Sequence, residues 1–486
     1  MKGRKSERVF GTWVTLVLGV FTLMACGAQE PSLPGAPVPP PPVSPPSAAC
    51  VTPTGAIPVG GVRIAITPAT RHQVIDGFGT TVRLFDDPHL TETFDPATQR
   101  GAVVVPPAEQ QRILGALYTD LRLTRVRYAT DPGIEPVNDN ADPAGADLTK
   151  FNFAWKRLDG HVEYVAAARQ FGVTSWFGSP IALESWMGRD DPAEYVEWAL
   201  VTIRRWRDGG ATLPYWSILN EPGLIGPYSP AFVRDATKML GARLAAEGIP
   251  TKLVIPDDLN PGRALVRAQA VMADPEARRY VGALAFHLYE TGYVPGVSQP
   301  DLVTLSALAR QYDLPLWMTE WIAPDWFTWA ATMHDMLANY DASAVDYMWG
   351  FFGQWEGTDP HLITITSTGS TYTGFVLHKQ YHVMGQWSRF VPPGSTRVQA
   401  SSTDPNVLVS AYSVGDRVVV VAINTGAAPV STQFLLGAGT PCIRTATGMR
   451  TSETLSSSLI PTATLSGPGL LDNLPARSVT TFTFAR

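Results

Sequence analysis

Between residues 73 and 390, short apolar runs alternate with longer amphipathic stretches, and this rhythm limits the fold more tightly than any other feature of the sequence. Parallel strands cannot be joined by a tight turn. Each pair needs a crossover long enough to hold a helix, so a repeated strand-helix pattern predicts a parallel sheet. The runs Val74–Gly77, Arg125–Tyr128, Thr174–Gly178, Tyr215–Leu219, Lys252–Ile255, Ala283–His287, Leu316–Thr319 and Tyr347–Gly350 read as strands. Helices are expected near 107–119, 157–171, 191–207, 229–247, 262–273, 301–312, 326–341 and 377–387. Eight such units over roughly 320 residues fit an α/β fold, a (β/α)8 TIM barrel with insertions, placed at 71–390.

After Phe390 the rhythm changes. Arg397–Ala400, Val407–Val414, Arg417–Asn424, Ser431–Leu436 and Ser478–Phe484 alternate apolar and polar residues between turns, which predicts a side β-sandwich over 391–486. Residues 62–67, within the segment 51–70, read as one more strand, ahead of the barrel and expected to join that C-terminal sheet.

Lys2, Arg4, Lys5 and Arg8 precede an apolar run from Val9 to Ala25, the layout of an export signal, so residues 1–25 are set apart from the fold. The run is short and broken by Gly11 and Gly19, which disfavours a retained membrane helix. Its end, Leu23-Met24-Ala25-Cys26, resembles the bacterial lipobox, in which the cysteine is lipidated and becomes the mature N-terminus. The alternative is an ordinary secretory signal cut near Ala25 or Ala28. Nine prolines among residues 27–50, and no charge between Pro31 and Val62, make 26–50 a stiff, extended spacer. The expectation is an extracytoplasmic lipoprotein on a membrane or cell surface, touching the membrane through its lipid only, or otherwise a secreted protein. With Cys26 committed to lipid, Cys50 and Cys442 remain, and an oxidising compartment favours a bridge between them over two free thiols.

Composition narrows the function classes. The chain carries a net charge of −6, or −9 without its first 25 residues, which disfavours nucleic acid as a partner. With 45% hydrophobic and 16% charged residues it is not a disordered chain. Its 14 Trp and 15 Tyr supply flat amphipathic faces suited to stacking on sugar rings or bases.

In a barrel of this kind, function sits at the C-terminal ends of the strands. Leu219-Asn220-Glu221-Pro222 closes the fourth strand and Trp317-Met318-Thr319-Glu320-Trp321 the seventh. An ionisable group closing an apolar strand costs desolvation energy unless the site uses it. Taken singly, each glutamate reads equally well as a salt-bridge partner or a helix cap. Together, on strands that face each other across the mouth, they are the two carboxylates that glycoside hydrolysis needs. Arg127, at the end of the second strand, is placed to hydrogen-bond one of them, with a rim salt bridge as the plainer alternative. Asn220 is a candidate ligand for a sugar 2-hydroxyl, and His287 and Tyr289 follow the sixth strand. Trp349 is a candidate floor for the sugar. Trp186 and Trp355 are candidate cleft walls, each equally readable as packing.

Asn-Glu-Pro closing the fourth strand and Thr-Glu closing the seventh resemble the acid/base and nucleophile motifs of clan A retaining glycoside hydrolases. Within that clan the chain resembles glycoside hydrolase family 30. Gln73-Val-Ile-Asp-Gly-Phe-Gly79 is similar to the family's opening strand. Gly385-Gln-Trp-Ser-Arg-Phe-Val-Pro-Pro-Gly394 resembles its last barrel helix and exit, and Leu474-Pro-Ala-Arg-Ser-Val-Thr-Thr-Phe482 its last side-domain strand. The resemblance implies Glu221 as acid/base and Glu320 as nucleophile, with no cofactor and no metal. It implies retaining hydrolysis of a polysaccharide, xylan or a β-1,6-linked glucan or galactan, by a monomer. A glucosylceramidase-like β-glucosidase and a surface carbohydrate-binding protein without turnover are the alternatives, and a transglycosidase would share the covalent intermediate. Two departures matter. Ser179-Pro180 is followed by Ile181 where the family more often has Trp, and Phe351 to Phe375 contains no Arg or Lys. Xylanases of the family that require a glucuronic acid branch bind its carboxylate with basic groups near the latter region.

Three weaker signals point elsewhere. His378 and His382, four apart on a helix, lack the further ligands of a zinc site. Gly77-Phe-Gly79 lacks the third glycine of a dinucleotide loop. The acidic run Asn138-Asp-Asn-Ala-Asp-Pro143 lacks the glycine and closing glutamate of an EF-hand and reads as a solvated turn.

Overall fold

The first strand, β1 (Val62–Val74), belongs to the C-terminal sheet. Eight parallel strands then close into a barrel in chain order: β2 (Gly77–Val82), β3 (Arg125–Thr130), β4 (Ser175–Pro180), β5 (Tyr215–Ser217), β6 (Lys252–Asp258), β7 (Val281–His287), β8 (Leu316–Glu320) and β9 (Ala344–Tyr347). The computed structural model describes residues 61–86, 103–154, 158–353, 361–440, 442–465 and 469–486, so the export segment, Cys26, Cys50 and the spacer lie outside it. Among the described residues, no helix is long and apolar enough to cross a membrane.

Helices α1 (Pro107–Leu114), α2 (Asp159–Arg169), α3 (Pro192–Asp208) and α4 (Pro230–Ala246) follow β2 to β5 in turn. After β6 come α5 (Pro261–Ala273) and the short α6 (Pro275–Arg278), then α7 (Pro300–Gln311), α8 (Trp326–Asn339) and α9 (Lys379–Ser388). The start signals are local. Asp191, Ser229, Asn260 and Asp325 each accept an amide of the first turn through the side chain, and a proline opens three of those four helices.

Two expected strands are displaced. The first barrel strand is Gly77–Val82, not Val74–Gly77, and the eighth is Ala344–Tyr347, not Tyr347–Gly350. Both carry buried polar residues that hydropathy counts against a strand. Thr80 donates to the Tyr347 carbonyl at 2.7 Å, and Asp346 pairs with Arg125. The stretch Phe351–Phe375, for which no strand was expected, holds β10 (Phe351–Gly353), β11 (Ile363–Thr368) and most of β12 (Thr371–Leu377), a small sheet of its own.

The C-terminal body is one continuous nine-stranded sheet. Its strands are β13 (Thr396–Ser402), β14 (Val407–Val414), β15 (Arg417–Asn424), β16 (Val430–Leu436), β17 (Thr445–Thr451), β18 (Ser458–Thr464), β19 (Gly469–Leu474), β20 (Ser478–Ala485) and β1. β17 to β19 were not expected, since Thr, Ser and Gly interrupt their apolar pattern. β1 runs antiparallel to β13 and parallel to β16, with Ile64 opposite both Ser402 and Phe434, so the expected N-terminal strand joins this sheet. Its sandwich-like core takes Ile64, Val418, Val420, Ala422, Phe434 and Phe482. Cys442, just before β17, is disulfide-bonded.

Inside the barrel, alternate residues of each strand point to the axis. The lower layer holds Phe177, Tyr215 and Trp317 around the buried pair Arg125–Asp346, whose guanidinium lies 4.0 Å from the Trp317 ring centroid. Gly79 makes room for that pair, because a Cβ there would sit 2.4 Å from Asp346 Oδ1 and 2.5 Å from Arg125 Cβ. The Gly-Phe-Gly motif is therefore a packing device.

Asp346→Ala strands the Arg125 charge in an apolar layer and is expected to destabilise the fold by about 3–5 kcal/mol in urea unfolding. Arg125→Met with Asp346→Leu is expected to recover most of that. A single-mutant loss below about 1 kcal/mol would mean that the pair behaves as a solvated one.

Candidate active site

Above this apolar layer the barrel turns polar. Thr81, Arg127, Ser179, Ser217 and Thr319 point into one buried space at the C-terminal ends of the strands, and Asp257 lies among them. Asp257 reaches the axis because β6 breaks its alternation. The register shifts between Pro256 and Asp258, and Asp257 adopts φ of +57°.

Asp257 is fully buried and accepts five hydrogen bonds. Ser179 Oγ (2.6 Å), Ser217 Oγ (3.0 Å) and Arg127 Nη2 (3.1 Å) donate to Oδ2; Thr319 Oγ1 (2.5 Å) and His287 Nε2 (3.2 Å) donate to Oδ1. Burial opposes the charge, but Arg127, His287 and Ser179 outweigh it and hold the carboxyl well below the ordinary aspartate range.

The two glutamates stand on either side of this anion. Arg127 Nη1 donates to Glu320 Oε2 at 2.7 Å, while its Nη2 also reaches Asn220 Oδ1 at 2.5 Å. Tyr289 adds a hydrogen bond to Glu320. Glu221 lies past the end of β5, in left-handed backbone at φ +46°, with its amide donating to the Asp257 carbonyl at 2.9 Å. Asp258 accepts the Gly223 amide at 3.1 Å and so fixes the turn behind Glu221. Glu221 Oε1 lies 2.9 Å from His287 Nδ1.

His287 thus has a carboxylate on each nitrogen. Burial disfavours its charge, but the Glu320 carboxylate and the hydrogen bonds to Asp257 and Glu221 prevail and raise its pKa to about 10. It is an imidazolium at neutral pH. One oxygen of Glu221, one of Glu320 and a nitrogen of His287 all lie within 4.8 Å of one another, a spacing that a metal ion also accepts. The same closeness suits proton transfer between His287 and Glu221.

Arg127, Asn220, Glu221, His287, Tyr289 and Glu320 are therefore brought into one network. Trp349 follows β9 and packs on Phe352 (ring centroids 5.1 Å apart), with the Arg83 guanidinium 5.0 Å from its centroid. Trp186 is half-buried and donates its indole N–H to the Glu135 carbonyl at 2.7 Å, which ties the loops after β3 and β4 together. Trp355 lies outside the described residues. Sequence reasoning missed Asp257, although Ile255-Pro256-Asp257-Asp258 meets the criterion applied to the glutamates, an ionisable group closing an apolar strand. Ser179, Ser217 and Thr319 carried no comparable signal.

No family model matches the chain. Over 294 residues it is 28% identical to the glucuronoxylanase XynC of Bacillus subtilis (strain 168), across 58% of this chain and 63% of that protein, just under two thirds of the relative's length. A glycoside hydrolase family 30 subfamily 8 xylanase from Clostridium acetobutylicum matches in structure with a TM-score of 0.66 at 23% identity, over 87% of this chain and 100% of that one. A solved endo-β1,6-glucanase matches with a TM-score of 0.63 at 16% identity, over 87% and 94%. The chain shares the fold of these proteins, a TIM barrel carrying a β-domain.

The raised pKa makes the His287 charge a stabilising feature. Its contribution is complete below the unfolded-state value near 6.5 and is lost as pH rises through about 10. Imidazole nitrogen shifts of His287 are expected to stay those of the doubly protonated ring well above neutral pH, and Asp257→Asn is expected to move the transition down. A neutral ring at pH 7 in the unmutated protein would refute this charge assignment.

Proposed function

We propose that this chain is a retaining β-glycoside hydrolase of family 30 acting on a polysaccharide, with Glu320 as nucleophile and Glu221 as acid/base. The separation of the two carboxylates carries this reading. Their nearest oxygens lie within 4.8 Å, close to the roughly 5–5.5 Å of double-displacement sites and short of the ~6.5–9.5 Å that would admit a water for inversion.

The geometry divides the labour. Arg127 holds Oε2 of Glu320, leaving Oε1 to attack the anomeric carbon. Glu221 gives its proton to the glycosidic oxygen as that bond breaks, and a covalent glycosyl-enzyme forms on Glu320. Water then attacks the same carbon, Glu221 takes its proton, and Glu320 is released.

Xylan is the first substrate to test, since the relative matched in sequence is a glucuronoxylanase. The segment Phe351–Phe375 offers no Arg or Lys to a substrate carboxylate, which favours a backbone cut without an obligatory uronic acid branch. β-1,6-Glucan and galactan follow. The Leu23-Met24-Ala25-Cys26 motif and the proline-rich spacer support surface display through a lipid on Cys26.

With azide and an activated aryl β-glycoside, Glu221→Gly is expected to yield a β-glycosyl azide and Glu320→Gly an α-glycosyl azide; the reverse pairing would exchange the two roles. Glu221→Gln is expected to lower turnover by about 10²–10⁴-fold. If no polymer in a panel of xylans, β-1,6-glucan and β-1,6-galactan is cut by a folded protein, the binding-protein reading takes precedence. Cys26→Ala is expected to release the protein from membranes into the soluble fraction, and unchanged membrane association would exclude a lipid anchor there.

A further inference from the structure

Glu320 and Asp257 stand on regular strands, but Glu221 lies past the end of β5, at the start of the turn 221–229 that leads into α4. The chain coils tightly behind its carboxyl. Leu224 and Ile225 donate their amides to the Glu221 carbonyl at 2.8 and 3.1 Å, and Tyr228 donates its amide to the Pro222 carbonyl at 2.8 Å. The turn is entered through left-handed backbone at Glu221, a conformation that costs a non-glycine residue about 1–3 kcal/mol and persists where surrounding groups hold it.

The holding groups come from the next strand-helix unit. Asp258, the last residue of β6, is fully buried, and its Oδ1 accepts the amides of Gly223 at 3.1 Å and Leu259 at 2.8 Å. Its Oδ2 lies 3.1 Å from Nη1 of Arg267 on α5. Arg267 in turn donates through Nη2 to the Tyr228 carbonyl at 2.8 Å. Arg263, one turn earlier on α5, donates to the Gly223 carbonyl at 2.8 Å. The turn is thus gripped at the amide and the carbonyl of Gly223 and again at its far end. The fit is close: a Cβ on Gly223 would lie 2.9 Å from Arg263 Cδ and 3.0 Å from both Arg267 Nη1 and Asp258 Oδ1.

We infer that Asp258 is the positioning residue of the acid/base. With Arg267 and Arg263 it fixes, through the backbone, the direction in which Glu221 presents its carboxyl to the glycosidic oxygen. The inference rests on the proposed roles of Glu221 and Glu320. Adjacent in sequence, the two aspartates divide the work: Asp257 gathers Arg127, His287 and three hydroxyls at the barrel axis, and Asp258 holds the turn beside them. Proton transfer is sensitive to placement, and a misplacement of about 1 Å can cost about 10²-fold. Such an error matters only where the departing group needs the proton. Phenolate needs it, whereas 2,4-dinitrophenolate leaves as a stable anion. A loosened turn therefore slows cleavage of a phenyl glycoside and spares the dinitrophenyl one, while general damage to the site slows both.

The test measures kcat/KM, which reports bond cleavage, for the full chain on phenyl and 2,4-dinitrophenyl β-glycosides of xylobiose, gentiobiose and β-1,6-galactobiose. Asp258→Ala is expected to lose about 10–100-fold on the phenyl glycoside and less than about threefold on the dinitrophenyl one. Arg263→Met removes one hydrogen bond at a half-exposed side chain, so it decides the matter should Asp258→Ala not fold. It is expected to show the same split at about 3–10-fold. Glu221→Gln is the reference and is expected to show that split in larger measure. An equal loss on both glycosides, or no loss on either, with the split intact in Glu221→Gln, would overturn the positioning role and leave the proposed function standing. If Glu221→Gln itself shows no split, or the unmutated protein cleaves none of these glycosides, the acid/base assignment fails and the inference falls with it.

Discussion

A single buried anion organises the mouth of this barrel. Asp257 has no access to water, so its charge survives only because five donors from β3, β4, β5, β7 and β8 converge on its two oxygens. The dependence is mutual. Arg127 can sit fully buried because it faces both Asp257 and Glu320, and the His287 imidazolium because it lies between Asp257 and Glu221. Removing one member leaves others charged and unpaired, which is why such networks behave as a unit. The two glutamates therefore inherit their positions from a group that need not touch substrate.

These positions rest on broken periodicity. A regular strand sends every second side chain to the axis, and that rule alone places Arg127, Ser179 and Thr319. It does not place the acids. Asp257 and Glu221 occupy left-handed backbone, at a cost of about 1–3 kcal/mol each for non-glycine residues, and His287 follows a register irregularity against β8. The surrounding hydrogen bonds, including the Glu221 amide on the Asp257 carbonyl, offset that cost. What the departures achieve is convergence on one small volume of carboxylates from the neighbouring strands β5 and β6 and from β8, two strands further round the ring.

The same contrast explains what could be read from the sequence. Eight of the nine helices and six of the eight barrel strands follow hydropathy, and Glu221 and Glu320 declared themselves as charges ending apolar runs. β2 and β9 were misplaced because Thr80, Thr81 and Asp346 are polar yet buried and hydrogen-bonded. Asp257 was passed over because its strand seemed to end at Ile255, ahead of the bulge that turns it inward. The loop at 138–143 is the exposed turn read from the sequence, held by the side chains of Asn138, Asn140 and Asp142, but its hydrogen bond from Asn138 to Glu194, some fifty residues onward, is visible only in the fold. Contacts of that kind leave no trace in local pattern.

The side sheet belongs to the same physical argument, because it is part of the barrel's core. In β15 the residues Val418 to Ile423 are buried on both faces. Val418, Val420 and Ala422 face the sheet's own core, whereas Val419, Val421 and Ile423 join the barrel's. A strand buried on both faces reads as an unbroken apolar run, as this one does. Across the junction, Thr481 donates to the Gln386 carbonyl at 2.6 Å and Gln386 donates to Thr451 at 2.9 Å, so α9 is fixed by β17 and β20 as well as by the barrel. α8, which follows the strand carrying Glu320, packs on β14. The sheet therefore supplies the outer wall behind α9 and behind α8, which packs on β9. Because β1 enters that sheet before the barrel begins, pairing with β13 and β16, the two ends of the described chain are joined in one sheet beside the barrel.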